Sequence, residues 1–256
     1  MNRIDNLFHH KTGKALAVYF TAGFPQLDDT RPMLAALQAG GVDMIEIGMP
    51  FSDPLADGEV IQQSSAVALR NGMTIDHLFT QLEGVRAEIH TPLVLMGYLN
   101  PVLQYGMQRF LGSCQRCGID GVILPDMPVD VYEQEYKTFF DEADIHPIFL
   151  VTPRTPDARV REIATKSRGF LYVVSSATTT GATGQFSTEQ RAALEKIAAL
   201  NLDIPLLTGF GIHNAETFRD ATQHTRGAIV GSAFIKILNQ KPSPAEAVEI
   251  LQRELE

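Results

Sequence analysis

Short apolar runs alternate with helix-patterned segments along the whole chain. Eight runs are rich in Val, Ile, Leu, Phe or Tyr, and each is short enough for one strand: 15–22, 44–48, 92–98, 121–125, 147–151, 170–175, 205–208 and 228–231. Other segments carry apolar residues at helical spacing: 28–39, 75–89, 107–117, 131–143, 157–166, 188–200, 215–222 and 243–255. Asp157 and Thr188 are the expected helix starts, because short polar side chains can bond the free N–H groups there.

This alternation constrains the fold. Strands without polar alternation that are joined by helices predict a parallel sheet covered by helices. Eight such units in 256 residues fit a (β/α)8 barrel, formed as one domain over residues 1–256. The alternative is a doubly wound open sheet, which usually has fewer strands and a Gly-rich turn after the first one. The first run is followed by Gly23, Phe24 and Pro25, without a G-x-G-x-x-G pattern. We therefore favour an α/β fold with a single barrel.

Charge and composition exclude several classes of protein. The formal net charge is −9 and no cluster of Lys and Arg stands out, so nucleic acid is not an expected partner. No apolar stretch reaches the roughly 20 residues that cross a bilayer, and residues 1–14 lack the apolar core of a signal peptide. No membrane partner is therefore expected. The two cysteines, Cys114 and Cys117, give no disulfide framework, and a reducing, cytoplasmic location fits.

Two glycine-rich strand ends indicate a phosphate site. The seventh run ends in Thr-Gly-Phe-Gly at 208–211, and the eighth ends in Val-Gly-Ser at 230–232, before a helical turn. Barrels often bind phosphate after these two strands, where glycines let backbone N–H groups approach the anion. The alternative is that these glycines only form tight turns.

The second run supplies a candidate for proton transfer. Alternation places Glu46 on the opposite side of the strand from Ile45 and Ile47, and therefore inside the barrel if the isoleucines face the helices. Burial there would raise the pKa of Glu46 and suit it to give and take protons. The alternative is a structural ion pair, but none of the eight runs contains Lys or Arg. Asp53 and Asp57 follow in the loop 50–58, where each taken alone is more simply a turn residue or a helix cap.

Several chemistries are not supported. The seven histidines form neither H-x-x-x-H nor H-E-x-x-H, so no metal site is expected. The chain has no G-x-S-x-G motif, and no Lys ends a predicted strand to form a Schiff base. The residues alone therefore leave proton transfer on a phosphorylated substrate that carries its own electron sink, either an isomerisation or a retro-aldol cleavage.

A longer motif adds a family resemblance. The segment 45–58, Ile-Glu-Ile-Gly-Met-Pro-Phe-Ser-Asp-Pro-Leu-Ala-Asp-Gly, closely resembles the signature of the tryptophan synthase alpha subunit family. Shorter similar segments lie along the chain: 6–8, 21–25, 96–101, 124–128, 209–212 and 231–233. Glu59 departs from the family, which often has Pro at this position.

The resemblance implies a (β/α)8 barrel with an extra N-terminal helix. Its implied activity is cleavage of indole-3-glycerol phosphate to indole and glyceraldehyde 3-phosphate. The implied partner is a tryptophan synthase beta subunit in an alpha2beta2 complex, which converts the indole to L-tryptophan. No cofactor is implied for this chain, whereas pyridoxal phosphate is expected in the beta partner.

The resemblance also implies roles for individual residues. Glu46 matches the acid/base, and Asp57 matches the carboxylate that holds the indole N–H and stabilises positive charge. The substrate-binding positions are Tyr19, Met96, Tyr98, Tyr172, Thr180 and Phe210. The phosphate-binding positions are Gly181, Gly211, Gly231 and Ser232. Asp53 matches a loop residue that faces the beta subunit.

Three other functions remain open on the sequence. The chain could be a stand-alone lyase that releases free indole, or a non-catalytic activator of the beta subunit. A sugar-phosphate isomerase on the same scaffold is more distant. The presence of both Glu46 and Asp57 speaks against the activator.

Overall fold

The computed structural model of the chain describes residues 1–174, 187–209, 211–240 and 243–256. Within these residues, nine parallel strands form one sheet in the order β5-β4-β3-β2-β1-β9-β8-β7-β6. Their bounds are β1 Ala15–Thr21, β2 Met44–Gly48, β3 Leu93–Met96, β4 Gly121–Ile123, β5 His146–Ile148, β6 Leu150–Val151, β7 Leu171–Val174, β8 Leu206–Gly209 and β9 Gly227–Val230.

The barrel is confirmed, and its fifth strand has two parts. β5 and β6 are the two ends of the strand order, yet only Phe149 separates them in the chain. The N–H of Phe149 donates to Ser167 Oγ at 3.1 Å, while its carbonyl accepts from Tyr172 N–H at 3.0 Å. The predicted run 147–151 is therefore one barrel strand whose pairing changes from β4 to β7 at Phe149, and this change closes the ring.

Helices precede the barrel and connect its strands. The extra N-terminal helix is α1 Arg3–His10. The others are α2 Thr30–Ala39, α3 Glu59–Arg70, α4 Ile75–Leu82, α5 Leu99–Tyr105, α6 Met107–Cys117, α7 Val129–Val131, α8 Lys137–Ala143, α9 Asp157–Lys166, α10 Thr188–Ala198, α11 Ala215–Thr222, α12 Ser232–Leu238 and α13 Pro244–Leu255. A π-helical turn, Tyr132–Tyr136, joins α7 to α8. No helix in the described ranges is long and apolar enough to cross a membrane.

Some predicted helix bounds were wrong. The segment 75–89 is helical only to Leu82, because Gly84 takes a left-handed conformation with φ of 72° and a 3-10 turn follows. The predicted helix starts at Asp157 and Thr188 are confirmed, but the side chain that caps α10 belongs to Ser187, which accepts from the N–H of Gln190. Pro156 precedes α9, where Asp157 is the first helical residue and no side chain caps the start.

A buried carboxylate connects helix α1 to the strands at the N-terminal end of the barrel. Asp120 is 2% exposed and lies just before β4. Its carboxylate accepts from Arg86 at 2.5 Å, Arg3 at 3.0 Å and the N–H of Leu93 at 2.8 Å. Its carbonyl accepts from Asn2, the residue that caps α1, at 2.8 Å. One aspartate thus links α1 to the start of β3 and β4.

We expect Asp120→Ala to lower the free energy of unfolding by about 3–5 kcal/mol, because it leaves the Arg86 guanidinium mostly buried and without its carboxylate. Urea denaturation monitored by circular dichroism would measure this loss. Lys196→Ala is the matched control, since it breaks the exposed Lys196–Asp157 pair and should cost no more than about 1 kcal/mol. Equal losses in the two variants would contradict a structural role for Asp120.

Candidate active site

The carboxyl ends of the strands meet at one rim, and the predicted site residues that the structure describes lie there. β1 contributes Tyr19, β2 contributes Glu46, and β3 contributes Met96, with Tyr98 two residues later. Tyr172 comes from β7, and Gly231 and Ser232 join β9 to α12. Thr180, Gly181 and Phe210 lie outside the described residues.

Glu46 is buried in the barrel without a cation beside it. Its strand, β2, lies between β1 and β3, where the backbone of Glu46 is in register with Tyr19 and Val94, and the residue is 2% exposed. Among the described residues, its Oε2 atom has no hydrogen-bond partner. Burial first, and the negative charge of Asp57 second, raise the pKa of Glu46 to about 8. The carboxyl is therefore protonated at neutral pH.

Asp57 is the second carboxyl of the site. It lies in the loop between β2 and α3, and burial raises its pKa to about 6, although a hydrogen bond from Tyr98 opposes this rise. The simpler interpretation of Asp57 as a helix cap was wrong, because α3 begins after Gly58 and has no side-chain capping bond. At neutral pH Asp57 is therefore mostly ionised, while Glu46 is mostly protonated.

Tyr98 connects the end of β3 to the loop that carries Asp57. Its hydroxyl accepts the N–H of Ala56, the neighbour of Asp57, at 2.9 Å. Burial, and then the negative charge of Asp57, raise the pKa of Tyr98. Its ring lies 5.3 Å from that of Phe51, centroid to centroid, at the start of the same loop. Tyr98 is 6% exposed, so these contacts lie beneath the loop.

A chain of hydroxyl groups fixes the direction of the Tyr19 proton. Ser64 donates to the carbonyl of Ile61 at 2.8 Å, so it accepts from Thr21 at 2.7 Å. Thr21 in turn accepts from the Tyr19 hydroxyl at 3.3 Å, since its own proton goes to Ser64. The oxygen of Tyr19 therefore presents only lone pairs to the rest of the site.

Two glycines make room for the site tyrosines. A Cβ atom on Gly48 would lie 2.1 Å from the hydroxyl oxygen of Tyr19, and one on Gly209 would lie 2.1 Å from that of Tyr172. Each tyrosine thus lies across the glycine at the end of a neighbouring strand. Gly48 was not among the predicted site residues, although a glycine that ends a buried strand often marks a place where another group approaches the backbone closely.

The predicted phosphate end has one glycine in the left-handed conformation, Gly211. Gly211 has a φ of 78°, and a Cβ on it would meet nothing within 4 Å. Gly231 precedes α12, and a Cβ on it would lie 3.5 Å from the Tyr19 ring. The first N–H groups of α12, beginning with Ser232, have no partner within the helix. These backbone groups can donate to an anion.

The loop 50–58 has an exposed outer side. Asp53 is exposed, and its carboxylate accepts from Ser52 at 2.5 Å. Leu55 is 95% exposed, which is unusual for a large apolar residue next to a site. Leu55 was not among the predicted site residues, because the sequence does not show whether an apolar side chain in a loop is exposed or packed.

No other part of the described chain offers comparable chemistry. No group of three or more His, Cys, Asp or Glu residues that could hold a metal ion occurs in the described ranges. A cavity of about 490 Å³ lies at the opposite end of the barrel, where His146 pairs with Asp5 at 2.9 Å and Arg168 with Asp144 at 3.1 Å. Arg168 and one ring nitrogen of His146 thus have partners, whereas His146 Nδ1 is buried without one among the described residues.

Comparison with known families shows the family of the chain. The family model of the tryptophan synthase alpha chain matches residues 6–256. The chain belongs to the tryptophan synthase alpha chain family. It therefore has the alpha-subunit role in tryptophan biosynthesis.

Individual members of the family are similar over nearly their whole length. The tryptophan synthase alpha chain of Parabacteroides distasonis is 50% identical over 251 residues, which cover 98% of each chain. That of Flavobacterium johnsoniae is 51% identical over 243 residues, 95% of this chain and 96% of the relative.

Solved structures of the family share the fold. The aminoacrylate-bound tryptophan synthase of M. tuberculosis contains a chain that matches with a TM-score of 0.86 and 28% identity, covering 100% of this chain and 98% of that one. A mutant tryptophan synthase alpha-subunit from Pyrococcus furiosus also gives a TM-score of 0.86, with 33% identity and coverage of 95% and 99%.

The raised pKa of Glu46 makes a prediction for stability. The unfolded chain releases this proton near pH 4.5 and the folded chain near pH 8, so the folded state binds more protons between these values. Stability therefore falls as pH rises through this window, by up to about 1.4 kcal/mol per pH unit. Glu46→Gln removes the ionisable group and therefore this loss of stability at higher pH. Its free energy of unfolding, relative to the unsubstituted chain, should increase from pH 5 to pH 8.

Urea denaturation at the two pH values measures that difference. Glu249→Gln on α13 is the control, because its carboxyl is mostly exposed and the variant should follow the unsubstituted chain at both pH values. A difference between the Glu46→Gln variant and the unsubstituted chain that does not change with pH would contradict a protonated, buried Glu46.

Proposed function

We propose that this chain cleaves indole-3-glycerol phosphate to indole and glyceraldehyde 3-phosphate, with Glu46 and Asp57 as its catalytic residues. The observation that carries the proposal is the pair of carboxyls at the barrel rim, one protonated and one ionised at neutral pH. Two carboxyls whose environments separate their pKa values are suited to different roles in one reaction.

Glu46 is the proton carrier in this proposal. Its protonated carboxyl donates to the indole ring carbon that bears the glycerol chain, which makes the ring an electron acceptor. The resulting carboxylate then takes the proton of the adjacent glycerol hydroxyl. The carbon–carbon bond breaks, its electron pair returns to the ring, and the hydroxyl carbon becomes the aldehyde. Glu46 ends the cycle protonated, so no external acid is consumed.

Asp57 stabilises the charge that develops in this step. Protonation of the ring carbon places positive charge on the indole nitrogen, and an ionised carboxylate that accepts the N–H favours this state over the neutral ring. The indole ring itself is the electron sink, which supports a reaction without a metal ion or a Schiff-base lysine. The charge of Asp57 also raises the pKa of Glu46 and so keeps this proton donor protonated.

The surrounding residues would enclose the substrate. Tyr19, Met96 and Tyr172 are buried at the rim and supply apolar surface for indole, together with Phe210 and Thr180 by family resemblance. Tyr98 is proposed for the same wall. Backbone N–H groups at Gly211, Gly231 and Ser232, with Gly181, would bind the phosphate. The first N–H groups of α12, which have no partner within their own helix, support this end of the site.

A beta subunit that contains pyridoxal phosphate is the proposed partner, in an alpha2beta2 complex to which this chain passes indole. The exposed Asp53 and Leu55 support the loop 50–58 as part of the interface, since a large apolar side chain surrounded by solvent gains from burial against a partner. The same loop carries Asp57 on its inner side, so partner binding and catalysis would share one segment.

We expect Glu46→Gln and Asp57→Asn each to lower turnover by about 10²–10⁴-fold, because each removes a proton carrier or a charge from the transition state. Glyceraldehyde 3-phosphate release from indole-3-glycerol phosphate, followed by a coupled assay, measures turnover. Glu59→Gln is the matched control: Glu59 is an exposed carboxyl that bonds Gln63, and its loss should change turnover little. Retained turnover in both site variants would contradict the proposal.

We expect the cognate beta subunit to accelerate this release, and Asp53→Asn and Leu55→Ser to reduce the acceleration. Titration of each variant with the beta subunit, in the same assay, gives the affinity and the maximal activation. Full activity without any partner would favour the stand-alone lyase. Activation of the beta reaction without lyase turnover, in a folded chain, would favour the non-catalytic activator.

A further inference from the structure

Residues 54–57 form a β-turn within the loop 50–58. The carbonyl of Pro54 accepts the N–H of Asp57 at 3.1 Å, which is the bond that defines such a turn. Leu55 within the turn is exposed, whereas Asp57 at its end is half-buried. The turn therefore has an outer and an inner side, and its position decides where the Asp57 carboxylate begins.

Gln62 bonds both ends of this turn. It is the fourth residue of α3, and helical side chains lean toward the N-terminus of their helix, which here is the side of the turn. Its Nε2 group donates to the carbonyl of Asp57 at 2.8 Å and, over a longer distance of 3.4 Å, to the carbonyl of Pro54. A primary amide has two N–H donors, so one side chain can make both bonds.

The backbone of Asp57 is therefore bonded on both of its sides. Its N–H donates to Pro54, and its carbonyl accepts from Gln62. The preceding residue, Ala56, donates its N–H to the Tyr98 hydroxyl at 2.9 Å. Three bonds thus hold the peptide groups next to the Asp57 Cα atom, from which the carboxylate extends.

Gln62 has a rigid base and a neighbour that does not share its bonds. The carbonyl of Gly58, directly before α3, accepts the N–H groups of Ile61 and Gln62 at 3.0 Å each, so the helix fixes the backbone of Gln62. The side chain of Gln63 instead bonds Glu59 within α3, at 3.1 Å. Of two consecutive exposed glutamines, one reaches the loop and the other stays on its own helix.

We propose that Gln62 is a positioning residue, which fixes the Asp57 carboxylate in the site by holding the carbonyls of Pro54 and Asp57. The proposal deepens the proposed lyase function and rests on it.

The proposed reaction requires such a fixed carboxylate. Asp57 must meet the indole N–H as positive charge develops on the ring, and a carboxylate already in place needs no reorganisation at that moment. Gln62 acts on the reaction through the backbone of Asp57, so it is not itself a catalytic residue. The same amide connects the outer side of the turn, which carries Leu55, to its catalytic side.

Gln62→Met keeps the length of the side chain and removes both donors. We expect kcat and kcat/KM for indole-3-glycerol phosphate to fall together, roughly tenfold, while KM changes little, because the loss weakens an interaction of the transition state. Gln62→Glu keeps the shape but turns carboxylate oxygens toward two carbonyl oxygens, so its loss should be larger. This order is expected for a hydrogen-bonding role and not for a side chain that only fills space.

Gln63→Met and Gln63→Glu are the matched controls. They make the same changes one residue along α3, including the same added charge near the loop, and should change turnover little. Urea denaturation shows that each variant is folded. Turnover is measured alone and with saturating beta subunit, and the loss in the Gln62 variants should persist in both conditions.

The bond can also be observed directly by NMR in the ligand-free protein. The carbonyl carbon resonance of Asp57 should move in Gln62→Met and stay in place in Gln63→Met. In the unsubstituted chain, a scalar coupling across the hydrogen bond should join Gln62 Nε2 to the Asp57 carbonyl carbon. This last measurement needs no variant and holds even if the Gln62 variants do not fold.

The outcomes separate the two proposals. Absence of the coupling, with an unmoved Asp57 resonance, would overturn the role of Gln62 whatever the enzyme does, and so would unchanged turnover in both Gln62 variants. A loss that saturating beta subunit restores would also overturn it, since Gln62 would then act through partner affinity. A coupling in a chain without lyase turnover would contradict the proposed function, and with it the catalytic consequence, while the bond itself would stand.

Discussion

The closed ring of parallel strands is the constraint on which the site depends. Because all strands run in one direction, residues far apart in the chain meet at the same rim. Closure passes through Phe149, whose carbonyl accepts the N–H of Tyr172 and so ties the fifth barrel strand to β7. Without that change of partner, Tyr172 would lie at an open edge, remote from Glu46 and Tyr19.

The electrostatics of the rim follow from the lack of basic side chains in the described strands. The described strands contain no Lys or Arg, so they offer Glu46 no counter-ion, and burial beside Asp57 keeps its proton bound. Asp57 lies on a loop at the edge of the same space, where one phenol donor offsets part of the desolvation. Two carboxyls of similar intrinsic pKa thus differ in charge at neutral pH, because Glu46 is the more deeply buried and also lies in the field of Asp57, whereas Asp57 is only half-buried.

The sequence predicted the features that depend on local patterns. Apolar runs and helical spacing were enough for the barrel, and alternation in 44–48 was enough to separate Glu46 from its isoleucine neighbours. Features that depend on distant residues could not be predicted. Helix α5 was not expected, since Pro101 lies within it and its first N–H is satisfied by Asp126 from another strand end. The bonds of Tyr98 depend on how the loop 50–58 folds back over the rim, and no spacing in the chain encodes that path.

Tyr19 links the two ends of the proposed site. Its ring lies beside Gly231, at the start of α12, and its hydroxyl lies across Gly48, at the end of the strand that carries Glu46. Thr21 and Ser64 hold that hydroxyl in one direction. Neighbouring strands are about 4.8 Å apart, and β1 is the single strand between β9 and β2. In the proposed site, the distance from the phosphate to the proton carrier therefore spans two strand spacings, across β1 and the Tyr19 ring. A substrate must then carry its phosphate at a matching distance from the carbon that Glu46 protonates.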